Sequence, residues 1–217
     1  MLLLKFIKMK NIGVLLLAIT MVGCAGNGVV DQTVDANVES NIIEIPDQAA
    51  VDFKLAIGFM NEKKMDLAEK SFIKMTQDYP MLSGAFANLG VIYTQQKKWD
   101  KAIEMLKQAS EKNSKNLKVL NQLGYVYRQH GDFDNAEKTY LQAIEQSPSD
   151  ATAYINIGVL YDIYMGKFVK ASEYYQKYQS LQASPDRKVA GWIVDINRRA
   201  GIKPKPVKTQ IAGEAQQ

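Results

Sequence analysis

Between residues 49 and 200 apolar side chains recur three and four positions apart. Leu120, Leu123, Val126 and Tyr127 are one such set, and the period predicts amphipathic helices. The pattern also repeats at longer range. Phe86-x-x-Leu89-Gly90-x-x-Tyr93 returns as Leu120-x-x-Leu123-Gly124-x-x-Tyr127 and as Tyr154-x-x-Ile157-Gly158-x-x-Tyr161. Ala68, Ala102 and Ala136 stand 34 residues apart, and each precedes a large side chain by four: Phe72, Leu106 and Tyr140. Ala171 and Tyr175 continue the series one residue late. Turn signals fall at Gln96-Lys97-Lys98, His130-Gly131-Asp132 and Met165-Gly166-Lys167, while Pro80 and Pro148 close two units at the same phase. The spacing predicts a domain over 49–184 made of helix–turn–helix units at 49–82, 83–116, 117–150 and 151–184. Gly90, Gly124, Gly158, Ala102, Ala136 and Ala171 are small where paired helices must approach closely. A single unit cannot bury its own apolar face, so the units must stack.

This period and spelling resemble the tetratricopeptide repeat (TPR), whose pattern runs W-x2-L-G-x2-Y, then A-x3-F, then P. The resemblance covers about residues 49–183 and implies an all-α, right-handed solenoid of about four helix–turn–helix repeats. Departures fall in the end units. The first has Asp52 for an aromatic, Ala56 for glycine and Met75 for a small residue; the last has its extra residue and Tyr178 for alanine. Six of the eleven tyrosines lie between Tyr154 and Tyr178, which reads either as packing against a terminal helix or as a binding patch. Ser184-Pro185-Asp186 reads as an N-cap, a proline at the first helical position and an acid in the first turn. Val189, Trp192, Ile193 and Ile196 then form one stripe, so 185–200 is expected to cap the solenoid. Residues 201–217, with Lys203, Lys205 and Lys208, read as a disordered basic tail.

The N-terminal end carries an address. Lys5, Lys8 and Lys10 precede the apolar run 12–22, which as a helix reaches about 16 Å, against about 30 Å for a hydrocarbon core. Residues 1–23 therefore read as a signal peptide rather than a span. Met21-Val22-Gly23-Cys24-Ala25 resembles a bacterial lipobox, which implies cleavage before Cys24 and its lipidation, including a palmitate-type acyl chain. Ala25 after the cysteine, by the same resemblance, implies export to the outer membrane. Residues 24–48 hold Asp31, Asp35, Glu39, Glu44 and Asp47 with no Lys or Arg, and read as a lipidated acidic tether. Three of the 27 basic residues belong to the signal segment, leaving 24 against 23 acids, a net charge of +1. That balance is no signature of a nucleic-acid partner.

Chemistry is sparse. The only histidine, His130, sits in a turn-like setting, and the only cysteine belongs to the lipobox. No zinc site or internal disulfide can be assembled from them. No phosphate loop or nucleophile elbow appears either. The chain is expected to be non-enzymatic, with no metal, cofactor or small-molecule substrate.

Recognition remains. The repeat resemblance implies a groove lined by the first helix of each unit, here by Phe53, Ile57, Asn88, Val91, Gln95, Lys118, Asn121, Gln122, Tyr125, Arg128, Asn156 and Val159. Its amides can pair with an extended peptide backbone, although an amide before Leu-Gly is also a common packing residue of these repeats. The chaperone-tail clamp of the family is not reproduced, because Phe53, Ile57 and Gln122 occupy three of its five polar positions. The combination is similar to repeat-bearing lipoproteins that serve pilus secretins or Flp/Tad pili, and implies an envelope protein partner in the groove and a membrane held by the lipid. An adaptor for peptidoglycan enzymes or outer-membrane protein assembly is the alternative. If Cys24 is the lipidated residue, Cys24→Ala leaves an unprocessed precursor on immunoblots; normal processing of that variant contradicts the lipobox reading.

Overall fold

The computed structural model describes residues 46–202, so the signal segment, Cys24, most of the tether and nearly all of the tail lie outside the described residues. The described chain is all-helical: α1 (Asp47–Asn61), α2 (Met65–Asp78), α3 (Ser83–Gln95), α4 (Trp99–Lys112), α5 (Leu117–His130), α6 (Phe133–Gln146), α7 (Ala151–Val159), a π-helical segment (Leu160–Tyr164), α8 (Phe168–Ser180) and α9 (Arg187–Arg199). Helices pack in sequence, α1 on α2, α3 on α4, α5 on α6, α7 on α8, with each second helix also touching the next first helix. The result is a TPR solenoid capped by α9. Among the described residues no helix is long and apolar enough to cross a membrane.

Local chemistry sets the helix ends. Asn116 Oδ1 accepts from Val119 N at 3.3 Å, Asp132 Oδ1 from Asn135 N at 3.2 Å and Asp150 Oδ1 from Thr152 N at 3.0 Å. Gly131 ends α5 in the left-handed region at φ 91°. Lys63 and Lys97 hold the equivalent corners of the first two units at φ 59° and 56°.

The glycines of the repeat determine how closely the helices pair. A Cβ on Gly90 would lie 2.5 Å from Leu106 Cγ, one on Gly124 2.5 Å from Tyr140 Cε1, and one on Gly158 2.5 Å from Tyr175 Cδ1. In units two to four a large side chain of the second helix thus rests on bare backbone of the first, four residues after a fully buried alanine. The first unit has Ala56 at the glycine position, and Ala56 and Phe72 are both fully buried in one cluster.

The extra residue of the last unit is absorbed inside a helix. At the three earlier corners a backbone N–H reaches back five residues: Lys64 to Phe59 O, Lys98 to Tyr93 O and Asp132 to Tyr127 O, at 2.8–2.9 Å. Lys167 N instead reaches back six, to Tyr161 O at 2.8 Å, and Met165 N bonds Leu160 O at 3.1 Å. One added residue widens a turn to π geometry, and the corner closes at the same tyrosine.

The cap helix begins later than its sequence suggests. Asp186, not Ser184, is the N-cap, and its carboxylate accepts from Lys188 N at 2.9 Å and Val189 N at 3.2 Å. Gln179 fixes that residue by bonding both its N–H and its carbonyl, and Tyr178 Oη donates to its other carboxylate oxygen at 3.2 Å. These bonds outcompete a start at Ser184, and they give Tyr178 a purpose that alanine could not serve. Tyr175 stacks on Trp192 at 5.5 Å, completing the seat of α9.

Gly124→Ala forces the Tyr140 ring or the helix axis to move. We expect a loss of about 1–3 kcal/mol in thermal or urea unfolding; an unchanged midpoint contradicts the packing described.

Candidate functional site on the concave face

The proposed groove residues do not share one environment. Asn88 is 0% exposed, because its amide donates to Gly84 O at 2.9 Å within its own helix, and all of α3 from Ser83 to Tyr93 is buried. Val91 belongs to the same buried cluster as Leu89 and Ile92. In this fold Asn88 takes the packing role open to an amide before Leu-Gly, and Val91 is core, which corrects their placement in the groove lining. The cause is tertiary: α3 is packed against α2, α4 and α5 at once. Phe53 and Ile57 are half-buried against that cluster, Phe53 meeting Phe72 edge-on at 5.7 Å. Gln95 and Lys118 are exposed. Gln122 reaches Thr94 Oγ1 at 3.4 Å, joining the second and third units.

The polar residues converge where α5 meets α7 and the π segment. Asn121 donates to Leu117 O at 3.1 Å and accepts from Asn156 Nδ2 at 3.2 Å. Arg128 Nη1 donates to the Asn156 carbonyl at 3.3 Å. The guanidinium carbon lies 5.3 Å from the centre of the Tyr125 ring and 5.4 Å from that of Tyr164, over both ring faces. Gln129 Nε2 holds the Tyr164 hydroxyl at 3.2 Å. Val159 packs partly buried against the lower core. Thus Tyr125, Arg128, Gln129, Asn121 and Asn156 form one cluster in which Asn121 and Arg128 are largely buried, and Tyr164 joins them. Tyr164 belongs to the tyrosine-rich run 154–178, and the one-residue excess of the fourth unit marks the turn that carries it.

Two charged side chains are buried among the described residues, Arg128 and Asp162. Asp162 faces Arg199 of the cap helix at 3.3 Å, and Arg199 also approaches Asp195 at 3.7 Å and stacks over Phe168 at 4.1 Å. Burial pushes the Asp162 carboxyl above its ordinary range, opposed by the Arg199 charge and reinforced by Asp195. Burial likewise raises the Tyr140 phenol, and Arg128 opposes that rise.

Residues 90–131 and 124–162 match the TPR repeat family, and residues 151–185 match the tetratricopeptide repeat. Among solved structures, MamA aligns with a TM-score of 0.65 at 21% identity, over 73% of this chain and 85% of MamA. MamA from Desulfovibrio magneticus RS-1 gives 0.64 at 15%, over 72% and 87%. Pseudomonas aeruginosa PilF gives 0.61 at 22%, over 70% and 69%. No curated protein matches the sequence. The repeats within residues 90–185 are tetratricopeptide repeats, and the fold is that of a TPR solenoid. TPR proteins generally serve as protein-binding scaffolds, and the likeness to MamA and PilF is one of fold.

Arg199→Gln removes the partner of a buried carboxylate. Because the Asp162 pKa is raised in the fold, the protonated form is favoured there, and its contribution to stability is lost as pH rises through that raised value. Without Arg199 the pKa rises further. The variant is therefore expected to lose about 1–3 kcal/mol at neutral pH and distinctly less below the ordinary carboxylate range. Paired melting curves at the two pH values check this; an equal loss at both contradicts it.

Proposed function

We propose that this chain is a non-enzymatic lipoprotein adaptor of the bacterial envelope, held at the outer membrane through Cys24 and facing the periplasm. Its concave face binds a protein segment and helps assemble or localise a larger complex, with pilus or secretin machinery as the favoured setting. The observation that carries the reading is the convergence of Tyr125, Arg128, Gln129 and Asn156 on one face. Aromatic and arginine side chains are the types that dominate protein interfaces. The stacked units hold these residues on helices rather than on loops, so little ordering entropy is lost on binding. The lipobox resemblance supports the address, and the several acyl chains it implies would anchor the chain stably, since two lipid signals already suffice.

In-cell photocrosslinking tests the reading. A photoreactive residue replacing Tyr125 is expected to capture an envelope protein, while one replacing the exposed Lys138 on α6 captures none. Capture from 138 alone, or from neither position, refutes the concave face as the binding surface.

A further inference from the structure

Arg128 is buried without a counter-ion. The other buried charge, Asp162, has Arg199; Arg128 is 8% exposed, and no ion pair among the described residues includes it. Its Nε is fully buried with no acceptor, and the neighbouring Tyr140 hydroxyl is buried and equally unpartnered. Its one hydrogen bond goes to a neutral backbone carbonyl. Two tyrosine rings stabilise the cation through their faces but offer its N–H groups no acceptor. A cation so placed has lost water without gaining an anion.

We propose that Arg128 is the receptor for a side-chain carboxylate on an extended acidic segment of the partner protein, which lies across α5 and the π segment with Tyr125 and Tyr164 as its walls. This rests on the concave-face reading above and names the chemistry of its ligand. The Tyr125 and Tyr164 rings lie within 5.4 Å of the guanidinium carbon and leave its charge without an anionic partner. A carboxylate can supply the missing negative charge and accept parallel N–H bonds from a guanidinium. The amides of Asn121 and Asn156 lie alongside and can pair with the segment's backbone. The Gln129 bond to the Tyr164 hydroxyl holds one wall in place before the ligand arrives.

The test uses the full-length protein in detergent micelles and fluorescent Gly/Ser dodecapeptides, amidated at the C-terminus, that carry two central Asp or two central Asn. Anisotropy is expected to show the Asp peptide binding at least about tenfold more tightly than the Asn peptide. Arg128→Gln abolishes that preference, Arg128→Lys keeps part of it, and Lys138→Gln on the outer face leaves it intact. Acetate competes, while chloride at equal ionic strength does not. Should Arg128→Gln fail to melt cooperatively, Arg128→Lys and acetate competition on the unmodified protein decide. Equal binding of the two peptides, no binding at millimolar concentration, or a preference that survives Arg128→Gln overturns the proposal. Stronger competition by inorganic phosphate than by acetate overturns it in favour of a phosphate receptor. Asp-peptide binding that appears only after Asp31, Asp35, Glu39 and Glu44 are neutralised assigns the site to the chain's own acidic segment and overturns the partner assignment. Capture at position 125 that Arg128→Lys does not weaken leaves the adaptor reading standing and removes this one.

Discussion

Three glycines spaced 34 residues apart each lie beneath one large side chain: Gly90 beneath Leu106, Gly124 beneath Tyr140 and Gly158 beneath Tyr175. The contact leaves no room for a Cβ, so it fixes how closely the two helices of a unit approach. Close approach lets the alanines four residues earlier be fully buried, and it aligns each pair to receive the next. Stability in such a stack is a sum of units and neighbouring interfaces, so an error in one spacing is transmitted to its neighbours. The recognition face inherits its geometry from the same contact. Tyr140, which sits on Gly124, lies behind Arg128, and Tyr175, which sits on Gly158, seats the cap helix through Trp192.

Departures from the repeat are where individual chemistry enters. The extra residue of the fourth unit widens one turn and puts Tyr164 over Arg128 while leaving the corner closed on Tyr161. Tyr178 replaces a small residue and holds the N-cap of α9. Asp52 replaces an aromatic and accepts from Tyr79 and Gln48. Units two and three follow the pattern more closely and supply the scaffold; unit four and the cap supply much of what is particular to this chain.

The all-helical solenoid was legible because period 34 and the Gly/Ala phase are properties of spacing, and spacing survives in one dimension. The candidate site was legible only in part. Tyr125, Arg128 and Asn156 could be placed on first-helix faces by register. The burial of Asn88 and Val91 could not, because it depends on three helices meeting α3 at once. Asp186 and Ser184 are both ordinary N-cap residues; what favours Asp186 is Gln179 and Tyr178 folding back over seven and eight residues, which no local window shows. Tyr164 could be placed in the tyrosine-rich run of the fourth unit but not beside Arg128, because an insertion marks a place in the sequence and not the direction in which the added turn points.

If helix spacing governs the recognition face, a change at one glycine must be felt at the site. Hydrogen exchange of the full-length protein with Gly158→Ala, compared peptide by peptide with the unaltered chain, measures this directly. The account predicts faster exchange in α7 and the π segment and also in the second half of α5, where Arg128 bonds Asn156. Exchange altered within α7 and α8 alone, with α5 unchanged, would contradict it.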